Sequence, residues 1–406
     1  MPSPKRTNFL TERAAAEVQL TVADVNSLLA SPNSRIEVQP TEGRGRYRLT
    51  PRGVVGTLVL PSCRLVIRPK VPLDSFLHLL DPLAVWSTQR DQVVAEPEGD
   101  LLNFLGGQLA RLLEERSAAG LRRDYRERAE CSPILQGRLD VAAQLRQGAV
   151  SRDRLHCVRD EFTADVICNQ IARTTGELVL ANPLVGSDAR ASLERALDTY
   201  QGVDKIALNE SVFAGAVDSR SPGYGPLLEL CRFLAEHLQP GVAAGAFPAP
   251  AFLVDMERVF ERYVADGLRQ RFSVARGWTV EAQLARAIAV PDLVIRPDLC
   301  LARHGRLRLV ADTKWKDLGS SPVNSTDAYQ VIAYAIGLGA RRAALLYPGD
   351  CNRVWTYDIP RARMFLSIQT LRVIGGRDRF RRSMHNLARE LRRDAVRPHS
   401  TQSTTS

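Results

Sequence analysis

Lysine is scarce. The chain has 406 residues and 55 Lys plus Arg, yet the lysines are only Lys5, Lys70, Lys205, Lys314 and Lys316. None follows a glycine, so the GxxxxGK[ST] phosphate loop is absent. The chain by itself is therefore no P-loop motor. The seven cysteines contain no CxxC, and their number is odd. That argues against a disulfide framework or a zinc ribbon. The six histidines form no HExxH or HxxxH pair. His156 beside Cys157 reads as incidental rather than as a metal site. No apolar run approaches the roughly 18–20 residues needed to cross a bilayer. The start, MPSPKRTNFLTERAAAEVQL, has no apolar signal core, so a cytoplasmic location is expected.

Charge and organisation follow. Hydrophobic residues are 45% and charged residues 25%, ordinary for a folded protein. The net charge of +10 suits an anionic partner, of which nucleic acid is the usual one. A solvated, arginine-rich surface is the alternative. Between Arg377 and Arg397 there are eight arginines against Asp378, Glu390 and Asp394.

Four segments are expected. Residues 1–97 read as strand-rich. Arg44, Arg46 and Arg48 alternate with Tyr47 and Leu49, the period of a strand. Two apolar runs around Pro61-Ser62 predict a hairpin. Residues 98–245 read as mostly helical, ending in the Pro/Gly/Ala-rich QPGVAAGAFPAPA, a linker signal. Residues 246–376 run helix, strands, helix, strand. The opening helix spans FLVDMERVFERYVADGLRQRF, with Phe252 on its stripe and with Glu257 and Glu261 on a shared face. Residues 377–406 are a basic helix and a polar tail. The fold class expected is a multidomain α+β or α/β protein whose third segment carries a mixed sheet flanked by helices.

The chemical signal lies in VPDLVIRPDLCLARHGRLRLVADTKWKDL, a hairpin turning near His304-Gly305. A two-residue loop would set Leu299 and Leu301 against Val310 and Arg308. An odd-numbered loop would set them against Ala311 and Leu309. The second register puts the leucines on one face, and pattern favours it. It also sets Asp298 opposite Asp312, with Lys314 two residues on and on the same face. Two close carboxylates raise each other's pKa unless a cation intervenes. Hard oxygen ligands suit magnesium, which acidifies water and neutralises charge on a phosphate. Lys314 could orient or deprotonate the attacking water, and Glu261 could complete the metal shell. A salt-bridged strand pair is the non-catalytic alternative. In the next helix Ser325 or Thr326 is the expected N-cap. Gln330 and Tyr334, four apart, could support the lysine or bond to phosphate.

RPD followed fourteen residues later by DTK, with a helix glutamate before and Gln-x-x-x-Tyr after, resembles the PD-(D/E)xK nuclease signature. GTLVLPSCRLVIRPKVP, QGRLD, DEFTADVICNQIARTT, MERVFERYV, VPDLVIRPD, ADTKWKDL and DAYQVIAYA, in this order, resemble the McrC family, the nuclease subunits of modification-dependent restriction systems. The likeness runs from about residue 54 to 347 and leaves out the first fifty residues and the basic tail. The resemblance implies that Asp298, Asp312 and Lys314 match the catalytic triad. It implies that Glu261 matches the helix carboxylate, and Gln330 and Tyr334 the auxiliary helix motif. Asp298, Asp312 and Glu261 would hold Mg2+, with Mn2+ able to substitute. The implied partners are a McrB-like AAA+ GTPase, docked by the N-terminal region, and modified double-stranded DNA. No membrane partner is expected. Asp140 in QGRLD is read as structural. An adaptor that stimulates an NTPase, and a free-standing nuclease for branched or single-stranded DNA, are the competing readings.

Overall fold

A computed structural model describes residues 6–30, 35–80, 101–146, 154–216, 223–239, 251–289, 293–318 and 324–396. The chain forms two compact units, Glu96–Phe252 and a discontinuous one made of Met1–Ala95 and Leu253–Ser406. The expected linker core, 240–250, lies outside the described residues.

The N-terminal part of the discontinuous unit runs β1 (Arg6–Thr11), β2 (Ala16–Gln19), α1 (Val22–Leu29), β3 (Ile36–Pro40), β4 (Arg46–Pro51), β5 (Val54–Val59), β6 (Cys63–Arg68) and α2 (Leu73–Leu80). The hairpin around Pro61-Ser62 is present: β5 and β6 pair antiparallel, and β1 pairs parallel to β6. Strands β2, β4 and β3 form a separate sheet in that order. In β4, Arg46 and Arg48 are exposed and Leu49 is buried. Arg44 precedes the strand, so it does not extend the expected arginine row.

The second unit runs α3 (Leu101–Ala118), β7 (Asp124–Ser132), β8 (Arg138–Leu139), α4 (Val141–Arg146), β9 (Leu155–Thr163), α5 (Ile167–Ala181), α6 (Ser187–Leu197), α7 (Glu210–Ala216), α8 (Gly225–His237) and β10 (Leu238–Gln239). Leu105, Leu109, Ile171, Leu193 and Leu234 are fully buried among its helices. It is less uniformly helical than expected, because β7, β9 and β8 form a sheet. The stretch Leu155–Thr163, expected in part as helix, alternates in burial and pairs with β7. Asp140 caps α4: its Oδ1 accepts the Ala143 N–H at 2.9 Å.

The chain then gives β11 (Ala251–Asp255), α9 (Met256–Arg269), β12 (Trp278–Ala282), β13 (Arg286–Ala289), β14 (Leu293–Ile295), β15 (Leu299–Arg303), β16 (Arg306–Thr313), α10 (Ser325–Gly337), β17 (Arg342–Gly349), β18 (Arg353–Ile359), β19 (Met364–Arg372) and α11 (Arg377–Val396). The opening helix starts four residues later than its apolar pattern suggested. Phe252 belongs to a strand, and Asp255 caps α9 by accepting the Glu257 and Arg258 N–H groups. The order β12-β15-β16-β17-β19-β18 is a mixed sheet. Strands β16, β17 and β19 are parallel, with antiparallel neighbours on both sides. One face packs Ala328, Val331 and Ala335 of α10 against Val310, Leu345 and Ile368. Helix α11 also packs on β16, β17 and β19. Among the described residues no helix is long and apolar enough to cross a membrane.

Candidate active site

The site is built on the β15–β16 hairpin, which reconciles both registers open to the sequence. His304 (φ 51) and Gly305 (φ 73) form the two-residue turn, left-handed at both positions as a type I′ turn requires. Arg303 pairs with Arg306 and Ala302 with Leu307. The register then shifts, so that Leu301 meets Leu309 and Leu299 meets Ala311. Arg308 is the extra residue, a β-bulge. The expected odd-loop register is thus the one next to the site, but a bulge rather than the loop length creates it. Leu299, Leu301, Leu309 and Ala311 are fully buried. That burial rewards one register over a one-residue slip.

Asp298 immediately precedes β15 and is held by three donors. Its Oδ2 accepts the Thr313 N–H and Thr313 Oγ1, each at 2.8 Å, and its Oδ1 accepts Gln283 Nε2 at 3.2 Å. Asp312, near the end of β16, is 2% exposed. Lys314 Nζ stands 2.8 Å from Asp312 Oδ2 as an ion pair, although that oxygen receives no well-directed hydrogen bond. The Lys314 backbone still bonds to Leu346 O at 2.9 Å, so β17 fixes where its side chain starts. Gln330 Oε1 accepts Lys314 Nζ at 3.1 Å, and Gln330 Nε2 donates to Tyr334 Oη at 2.8 Å. The cap of α10 is Asn324, not Ser325 or Thr326: its side chain accepts the Asp327 N–H.

Gln283 carries a role that sequence spacing did not disclose. It follows β12 in a left-handed conformation (φ 53). Its amide bridges Glu261 Oε1, at 2.6 Å, and Asp298 Oδ1. Glu261, Asp298, Asp312, Lys314, Gln330 and Tyr334 are therefore brought into one chain of contacts and charge interactions. Trp315 is another residue whose environment the spacing hid. Its indole N–H donates to the buried Glu12 at 2.6 Å, and its ring lies against Phe260. Lys316 pairs with Asp327 at 2.6 Å, and Tyr347 donates to the same carboxylate.

The electrostatics are those of crowded carboxylates. Burial, then the charge of Asp298, pushes Glu261 up to about 7, against the pull of its Gln283 hydrogen bond. Burial and Asp298 likewise push Asp312 up to about 6, although Lys314 opposes this. Lys314 is itself held above its ordinary value: burial lowers it, but Asp312 and Asp298 more than compensate. Both carboxyls thus hold a proton more readily than free carboxyls do, and a further cation would counter that.

Among the described residues no three His, Cys, Asp or Glu side chains form a preformed metal cage. The donors offered are nevertheless hard oxygens, and the partner of the buried Asp312 Oδ2 is the Lys314 ammonium, a cation whose place beside the carboxylate a metal could share. Magnesium keeps several waters and takes one or two carboxylates. Asp312 and Asp298 fit that requirement, with Glu261 within reach of their charge.

Comparison with known proteins bears on the same stretch. Residues 49–348 match the family described as McrBC 5-methylcytosine restriction system component. The chain is 20% identical over 285 residues to the type IV methyl-directed restriction enzyme EcoKMcrBC of Escherichia coli K12, covering 66% of this chain and 81% of that protein. Its fold is similar to a chain of the Thermococcus gammatolerans assembly of McrB AAA+ hexamers with bound McrC. The TM-score is 0.56 at 16% identity, over 94% of this chain and all of the other.

Proposed function

Because the chain belongs to the family of McrBC 5-methylcytosine restriction system components, we propose that it is the metal-dependent DNA endonuclease subunit of such a system. One observation carries the reading. The two aspartates of RPD and DTK are held by neighbouring strands, and the lysine of DTK reaches the buried one. That grouping is what PD-(D/E)xK chemistry needs: acidic oxygens for a cation, and an ammonium beside the reacting phosphate. The mixed sheet with helices suits such a domain.

Asp312 and Asp298 would hold magnesium, or manganese in its place, with Glu261 contributing directly or through water. The bound ion would supply an acidified water and charge neutralisation on the phosphate. The protein's own groups do the positioning. Thr313 fixes the Asp298 carboxylate, and Gln283 ties Glu261 to it. Gln330, braced by Tyr334, steadies the Lys314 ammonium. Lys314 orients the attacking water and balances negative charge in the transition state.

The fold relative is a chain of an assembly of McrB AAA+ hexamers with bound McrC, so a separate motor of that kind is the proposed partner. The E. coli relative is a methyl-directed enzyme, which makes modified duplex DNA the proposed substrate. The test uses the full chain with its AAA+ partner, nucleotide, magnesium and methylated plasmid. Lys314→Ala and Asp312→Ala should abolish cutting while leaving partner NTPase stimulation unchanged. Undiminished cutting by both variants refutes the assignment and leaves an adaptor role.

A further inference from the structure

Helix α11 lies beyond residue 348, where the family match ends. It packs on α9 at Gly267, where an added Cβ would stand 2.6 Å from the Met384 methyl carbon. A glycine permits that close approach. It brings Arg271, just past the end of α9, against the first turns of α11. A cavity of about 510 Å³ opens there, with His78, Gln270, Arg271, Arg377 and Arg381 on its walls. An adjoining one of about 370 Å³ shares Arg271 and Arg381 and adds Arg382, with Asp378 as the acid on its wall.

Arg271 is set in place without a counter-ion. Arg271 Nη1 donates to Gly267 O at 2.9 Å, which fixes the guanidinium. Its backbone carbonyl accepts Arg392 Nη2, also at 2.9 Å. Among the described residues no carboxylate pairs with Arg271, Arg381 or Arg382. Arg381 and Arg382 are exposed, but Arg271 is half-buried, and half-buried charge without a partner is unfavourable. Burial and the nearby Arg381 charge accordingly pull Arg271 down from its ordinary value, although Tyr263 opposes them. An anion entering the cleft would reverse that cost, and planar guanidiniums suit phosphate oxygens.

The anion's form follows from the helix. Arg377, Arg381 and His385 recur every four residues, about 6 Å of rise. Arg382 adds to the positive charge at the start of the helix, whereas Arg389 and Arg393 further along are already paired with Glu390. A row of cations matches a chain of phosphates better than a single ion. We propose that the cleft between α9 and the start of α11 binds the phosphodiester backbone of DNA, as a contact separate from the carboxylate site. Ten residues separate Glu261 from Arg271, about 15 Å if helical rise is continued. On duplex DNA that is about four base pairs, at roughly 3.4 Å each.

The test reads binding alone, so it does not depend on whether the carboxylate site cuts. Anisotropy of a short labelled duplex is measured with the full chain in EDTA over a salt series. Arg271→Gln and Arg381→Gln should each reduce the salt slope by about one and weaken every sequence alike. Arg389→Gln, outside both cavities and beside Glu390 at 3.7 Å, should leave the slope unchanged. Arg381 is exposed, so its variant decides the matter if Arg271→Gln fails to fold. Equal slopes for Arg381→Gln, Arg389→Gln and the unaltered protein overturn the proposal. So does competition by inorganic phosphate for Arg271 with no loss of DNA binding in either cleft variant, which would make the cleft a free-phosphate site.

Discussion

Asp312→Asn should make the metal-free protein more stable at pH 8 while removing a ligand of the proposed metal site. Asp312 is 2% exposed, and its carboxyl is pushed up to about 6 from the usual 3.8. That gap corresponds to about 3 kcal/mol of folding stability. The attraction of Lys314 is already contained in it, because the ammonium is one of the influences on the carboxyl. The sign follows from proton linkage. Below pH 3.8 the carboxyl is protonated in folded and unfolded chains alike, and aspartate and asparagine should differ little. As pH rises through 6 the folded protein must ionise a buried group, and the aspartate form loses stability. At pH 8 the asparagine form should lead by up to about 3 kcal/mol. Magnesium should reverse the order, adding about 4.1 kcal/mol to the unaltered protein at a thousandfold excess over its dissociation constant, with little gain for the variant. The assay is urea unfolding followed by tryptophan fluorescence. Trp278, Trp315 and Trp355 fall in the discontinuous unit, so their signal reports on the unit that holds the site. A variant no more stable than the unaltered protein at pH 8 without metal, or an advantage that does not change with pH, refutes the reasoning.

Three further outcomes are expected. Gln283→Ala removes a hydrogen bond that holds the Glu261 carboxyl down near 7, so the acidic limb of the cleavage–pH profile should move to higher pH; an unmoved limb counts against Glu261 as a working carboxylate. Trp315→Phe leaves the buried Glu12 without its indole donor and should cost about 1–3 kcal/mol, read as a lower midpoint of thermal unfolding. Gly277→Ala places a Cβ 2.3 Å from the His304 ring at φ +72 and should cost about 1–3 kcal/mol. Adding His304→Ala should recover part of that loss, since only the steric component is relieved.

Legibility in the sequence followed the range of the interaction. The pairing next to Asp298 and Asp312 was readable because four apolar residues had to share a buried face, and a slip would have turned all of them outward. The way the chain reaches that register was not readable: a two-residue turn and a bulge at Arg308 give the same outcome as an odd loop. Gln283 was hidden because a left-handed bend, not a periodic element, aims its amide. Phe252 was misassigned because an apolar run before a helix looks like the helix itself, until Asp255 ends the strand by capping α9. Glu12 and Trp315, 303 residues apart, share no local pattern at all. The basic helix was visible as charge, but its cleft depends on one glycine against Met384, a contact with no signature of its own.

The contact between Glu12 and Trp315 also bears on how the protein can be cut down. A fragment starting at Leu253 would contain every residue assigned to the carboxylate site, yet it would lack the acceptor for the tryptophan wedged between Lys314 and Lys316. The discontinuous unit predicts that such a fragment misfolds or stays inert alone. Supplying residues 1–95 as a separate chain should restore it, much as two halves of a split reporter regain their signal. Shortening should therefore remove the interior span and keep both ends.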